Sequence, residues 1–171
     1  MKPARHRKTY QNDPDALWRG SIIVGAKEAA LPEEAVISLT LGERLPLWRT
    51  LLNSLLNQLA LRQLVRSPDL LYVEVVGDLK EGFGYTMTVW KRGRAMAEFR
   101  DNGGHGWIKR FMSWVFYLGK SHAYFLTYPA QGREIPTLEE GRMVLRAHGR
   151  FLLGGRLVRP ASRPTTARWA I

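Results

Sequence analysis

Cysteine is absent from this chain of 171 residues, which removes disulfides, thiolate metal sites and a cysteine nucleophile, and fits a reducing compartment. No uninterrupted apolar run approaches the roughly 18 residues that a membrane-spanning helix needs. Residues 1–9 are basic but lead into QNDPDALWRG rather than an apolar core, so they do not read as a signal peptide. The expectation is a soluble, cytoplasmic protein. There is no phosphate-binding glycine loop, no HExxH, and no carboxylate pair spaced for acid–base work. Acidic residues are scarce, 15 against 26 lysines and arginines, for a net charge of +11.

That charge sits largely at the two ends. Lys2, Arg5, Arg7 and Lys8 lie at one terminus and Arg156, Arg159, Arg163 and Arg168 at the other, with no acid in either cluster. Setting the two clusters aside leaves only +3 for the rest of the chain. Basic ends are ordinarily solvated. KRGR at 91–94 is too short for a nucleic-acid signature, and the six tryptophans are not interleaved with the basic clusters. Nucleic acid and an anionic membrane surface are therefore the least favoured partners.

With 45% apolar residues, the chain can bury one core. Ser21–Gly25 suggests a short strand, blurred by the acidic and alanine-rich residues that follow. Ala35–Leu41 alternates clearly, Ile37, Leu39 and Leu41 against Val36, Ser38 and Thr40. Pro46 suits a first helical turn. Behind it Trp48, Leu51, Leu52, Leu55, Leu56 and Leu59 recur at helical spacing up to Ser67-Pro68.

Leu70–Val76 and Phe83–Trp90 read as a hairpin around a charged turn. A helix over 93–100 breaks at Asp101-Asn102-Gly103-Gly104 and resumes from His105 to about Leu118. A strand over 121–128 follows, then a helix opened by the capping box Thr137 to Glu140. The residues divide into an N-terminal extension (1–34), a domain (35–150) and an irregular basic tail (151–171). The order strand, helix, strand, strand, helix, strand predicts an α+β, ferredoxin-like βαββαβ antiparallel sheet with helices on one face. If the helices cover Ile37 and Leu39, the opposite face presents Ser38, Thr40, Thr86, Thr88, Trp90, Phe125 and Thr127. Such a mixture of aromatic and hydroxyl groups suits a ligand cavity or a partly wet dimer interface.

The one segment that looks like a site runs from Thr86 to Trp114. His105 follows two glycines near a helix start, where the helix dipole disfavours the imidazolium. A neutral imidazole can ligate haem iron or act as acid and base near neutral pH. A lone histidine is more often a cap or a buried hydrogen-bonding residue. The helix after it is apolar nearly all round, through Trp107, Phe111, Met112 and Trp114, as a buried helix or a pocket wall is. His122 points to the same layer more weakly. Asn53 and Asn57 lie one helical turn apart and suggest no chemistry alone. Lys109 and Arg110 suit solvent or acidic groups such as haem propionates.

Trp90, Ala95, Met96, Phe99 and His105, in the frame T-V-W-x-x-x-x-A-M-x-x-F-x-x-x-x-x-H, resemble the strand–helix–histidine pattern of the dimeric α+β barrel superfamily. Within it the similarity is to spheroidene monooxygenase-like proteins and the related DUF3291 group. Antibiotic biosynthesis monooxygenases and haem-degrading oxygenases are more distant relatives. The resemblance implies a homodimer of ferredoxin-like subunits paired sheet to sheet, with a pocket between sheet and helices in each. It implies a monooxygenase-like oxidoreductase acting on a small or medium hydrophobic molecule, with haem as candidate cofactor and otherwise none. His105 would be the catalytic group, and the metal ligand only if haem iron binds. Trp90, Phe99, Met112 and Thr88 would contact the substrate. The asparagine–tryptophan–histidine set of haem degraders has no counterpart at matching spacing, which disfavours haem degradation. The alternative is a non-catalytic dimeric module that binds an apolar ligand or a protein partner.

Overall fold

The structure, a computed structural model, describes residues 9–10, 19–25, 31–103, 105–107, 111 and 121–163. Its elements are β1 (Thr9–Tyr10), β2 (Arg19–Val24), β3 (Val36–Glu43), α1 (Leu47–Leu64), β4 (Leu70–Asp78), β5 (Phe83–Trp90), α2 (Gly93–Asp101), β6 (His122–Pro129), α3 (Leu138–His148), β7 (Arg150–Leu153) and β8 (Arg156–Arg159). Residues 105–107 and 111, between α2 and β6, are helical. Among the described residues no helix is long and apolar enough to cross a membrane.

The strands form one antiparallel sheet in the order β1-β2-β4-β5-β3-β6-β7-β8. Its middle four, β4-β5-β3-β6, carry the connections β3–α1–β4, β4–β5 and β5–α2–β6. That is the ferredoxin-like arrangement of the predicted α+β class. Both ends extend it. β2 pairs along β4 from Arg19↔Asp78 to Val24↔Val73, so the N-terminal extension contributes to the sheet. The tail expected to be irregular instead supplies the hairpin β7–β8. Gly154 and Gly155 turn it with φ of 52° and 78°, the two left-handed residues a tight hairpin turn requires.

The two faces of the sheet are the reverse of the expected assignment. α1 and α2 pack on the Val36 face, where Leu61, Leu64 and Met96 meet Val24, Val73 and Trp90. The Ile37, Leu39 and Leu41 face is covered by α3, through Val144 and Leu145, and by Leu31 and Ile135 from flanking loops. Helices therefore lie on both faces, because the chain beyond β6 returns across the sheet as an amphipathic helix with its own capping box. Thr137 Oγ1 accepts from the Glu140 amide at 3.3 Å and Glu140 Oε2 accepts from the Thr137 amide at 2.7 Å. α3 thus covers, within the subunit, the Ile37, Leu39 and Leu41 face that α1 and α2 leave bare.

α1 departs from its predicted stripe. Leu56, Ala60, Leu61 and Leu64 are buried, but Trp48, Leu51, Leu55 and Leu59 are 47–65% exposed and form an outward apolar row. Leucines occur all round this helix, so three- and four-residue spacing alone does not choose which row faces in.

Candidate functional site

Alternation along β5 puts Thr86, Thr88 and Trp90 on the face under α1 and α2, and β3 and β6 add Ser38, Thr40 and Thr127 to it. Hydroxyls occupy the middle of this face: Thr40 lies opposite Thr86, and Ser38 Oγ is 3.1 Å from Thr127 Oγ1. The predicted aromatic and hydroxyl surface therefore exists, with Thr88 and Trp90 buried beneath the helices and Phe125 and Thr127 on β6 exposed.

At the Trp90 end four of the five predicted site residues come together. Trp90 is wholly buried and its Nε1 donates to Thr88 Oγ1 at 2.9 Å. The Phe99 ring lies 5.2 Å from the Trp90 ring and 4.6 Å from the His105 ring, centroid to centroid, so it bridges the two. Met112, the fifth residue, lies outside the described residues, as do Lys109, Arg110 and the Asn53 side chain.

His105 is held by both neighbouring helices. Gln63 near the end of α1 accepts from the His105 amide through Oε1 at 3.1 Å and donates through Nε2 to the Asn102 carbonyl at 3.4 Å. Gly103, with φ of 61°, gives the turn after α2 the backbone conformation it needs, and a Cβ there would lie 2.7 Å from Gln63 Nε2. His105 Nδ1 lies 3.1 Å from the Arg100 carbonyl. Against a carbonyl oxygen Nδ1 is the protonated nitrogen, so in the neutral ring the lone pair is on Nε2.

This is the tautomer and the outer hydrogen bond of a metal-ligating histidine. The donor thus suits iron ligation. Phe99 packs against one side of the ring, so a porphyrin would have to approach the imidazole from elsewhere. Among the described residues there is no cluster of three or more His, Asp or Glu that could hold a metal ion.

His122 does not join this layer. It sits on the α3 side with its ring 5.2 Å from Phe151 and 6.4 Å from Tyr124. Burial lowers its pKa, Arg44 lowers it further, and Glu43 partly opposes them.

A second cluster escaped the sequence analysis. Beneath α3, β4 and β5 bring Tyr72, Glu74 and Tyr85 onto one face, with Tyr128 nearby on β6. Tyr72 donates to Glu74 Oε2 at 3.1 Å. Burial raises the pKa of all three tyrosines; Glu74 raises those of Tyr72 and Tyr85 further, and Tyr128 is pushed up to about 12. The Tyr85 hydroxyl is buried and has no hydrogen-bond partner. Their common parity in LLYVEVV and FGYTMTVW was the signal available, a glutamate alternating with apolar residues on a strand that otherwise reads as core.

No family model and no curated protein sequence matches the chain. Two solved structures resemble it. One is a candidate monooxygenase from Fusobacterium nucleatum, at TM-score 0.43 and 8% identity, covering 70% of this chain and 58% of that one. The other is an uncharacterised ferredoxin-fold protein related to antibiotic biosynthesis monooxygenases from Listeria monocytogenes, at TM-score 0.43 and 11% identity, covering 75% and 69%. This chain thus spans less than two thirds of the first. Likeness at this level carries no inference about chemistry, and the fold rests on the strand order itself.

Proposed function

We propose that this protein is a monooxygenase-like enzyme acting on a small or medium hydrophobic molecule, with His105 as its acid–base or iron-ligating group. One observation carries the reading. His105 is fixed from three directions, its backbone amide by the Gln63 side chain, its Nδ1 by the Arg100 carbonyl, and its ring by the tilted Phe99 ring beside it. Such an imidazole is preorganised, with one tautomer and one orientation. Haem, when bound, would supply oxygen activation. The chain's part would be to hold the His105 imidazole in place and to position an apolar substrate by Phe99.

The test is a haem titration followed by visible absorption, in wild type and His105→Ala. A saturable Soret shift that is lost in the variant, with far-UV circular dichroism unchanged, supports ligation by His105. A flat titration removes haem and leaves His105 as acid–base group. An equal shift in both proteins removes His105 as the ligand.

A specific observation favours a second reading. Trp90 is wholly buried and its only polar hydrogen is taken up by Thr88, as in a core residue. On that reading the aromatic seam is packing and the protein is a non-catalytic module for an apolar ligand. It predicts that His105→Ala leaves ligand binding unchanged.

A further inference from the structure

At the opposite end of α1 lies a buried cation with no anion beside it among the described residues. Arg49, in the first turn, is 4% exposed. Its Nη1 donates to Ser121 Oγ at 2.9 Å, and Ser121 itself is 1% exposed. Its Cζ lies 5.0 Å from the Trp48 ring centroid. Nε is enclosed and has no hydrogen-bond partner. No carboxylate among the described residues lies within ion-pair distance of the guanidinium.

Burying a charge without a counter-charge is among the least favourable arrangements a protein can adopt. A hydroxyl and a π face share that burden without neutralising it. The surroundings make matters worse. Arg49 sits at the positive end of an 18-residue helix whose first turn contains no acid and whose N-cap, Pro46, makes no side-chain capping bond. Arg142 shows the usual solution in the same molecule. Though less deeply buried, at 16% side-chain exposure, it has carboxylates from Glu43 and Glu139 at 3.8 and 3.4 Å.

We propose that Arg49, Ser121 and the N-terminus of α1 form a binding site for an organic anion. With Nη1 held by Ser121, the Nε side of the guanidinium is the fork that takes two oxygens of one carboxylate or phosphate. The Trp48 indole, 53% exposed and lying over the guanidinium, is the cover that swings aside and then meets the ligand's apolar body. Gln63, which holds His105, is 14 residues further along α1, about 21 Å at 1.5 Å per residue. The anion site is therefore separate from His105 and does not depend on the function proposed for it.

The experiment is a thermal-unfolding titration of the full chain at fixed ionic strength, with inorganic phosphate, benzoate and neutral benzamide as probes. Wild type is expected to show a saturable rise with phosphate, benzoate or both, of about 5–10 °C once the probe reaches a hundredfold of its Kd. Benzamide should give none. Arg49→Met keeps the apolar stem and removes the buried charge, so it should fold at least as stably while losing the response. Phosphate alone or benzoate alone would identify which oxygen group the fork accepts. The proposal is overturned by no saturable rise in wild type, by an equal rise in Arg49→Met, or by an equal response to benzamide.

Discussion

Replacing Gly141 by alanine tests how tightly α3 is seated on the sheet. In a helix interior this change ordinarily stabilises by about 1 kcal/mol, since alanine is the better helix former. Here a Cβ would lie 2.1 Å from the Tyr85 hydroxyl oxygen, 3.0 Å from Cζ and 3.3 Å from Cε2. Tyr85 is fully buried on a central strand between partners Leu41 and Val76, so its ring has little freedom to retreat. Overpacking of this kind costs about 1–3 kcal/mol and can exceed that when backbone has to move. We expect the clash to outweigh the helix term, leaving a net loss of up to about 2 kcal/mol, or up to roughly 8 °C in Tm for a chain of this size.

Tyr85→Phe supplies the control. Its hydroxyl has no partner to lose, so removal should be neutral or slightly stabilising. In the double variant the 2.1 Å contact is gone, and the two substitutions should couple favourably by about 1 kcal/mol. Urea unfolding of the four proteins, followed by circular dichroism, measures the cycle. Gly141→Ala as stable as wild type, or additivity in the double variant, would refute the reasoning.

Thr88→Val removes the acceptor of a buried indole N–H at nearly constant shape, and should cost about 1–3 kcal/mol, read as a lower urea midpoint at unchanged slope. Tyr72, Tyr85 and Tyr128 all have raised pKa values, so their neutral forms stabilise the fold below the ordinary value near pH 10. That contribution falls as pH rises beyond 10, and ultraviolet titration should show these three ionising only with unfolding. Three tyrosines of low pKa in the folded protein would contradict it. His122 has the opposite dependence. Its lowered pKa gives stability that is complete above about pH 6.5 and falls below it, and His122→Gln should flatten that decline.

Backbone periodicity was legible where one face is apolar and the other polar. β3 alternates from Val36 to Leu41, α2 is amphipathic, and the Thr137–Glu140 box marks the start of α3 to the residue. What could not be read was which layer covers which face. Val36, Val73 and Trp90 on one side are about as apolar as Ile37, Tyr72 and Val89 on the other, so both faces ask for cover. The tail's hairpin escaped for a different reason. RFLLGGRLVR is short and arginine-rich, and its stability comes from pairing with β6 rather than from its own pattern. At the site, Trp90, Phe99 and His105 converge as their spacing around one strand–helix turn suggested. Arg49 carried no signal, since an arginine in a helix is ordinarily solvated and only the tertiary structure reveals its burial.

The helix laid over Ile37, Leu39 and Leu41 changes the molecularity of folding. A sheet that must find a second sheet closes its core in a bimolecular step, and its stability then rises with protein concentration through mass action. Here α3 arrives tethered by the eight residues between β6 and its first turn, so that layer is covered in a first-order event at an effective concentration set by the loop. Dilution does not strip this face, and a copy of the chain seeking to pair through it would first have to displace a helix that never leaves the neighbourhood.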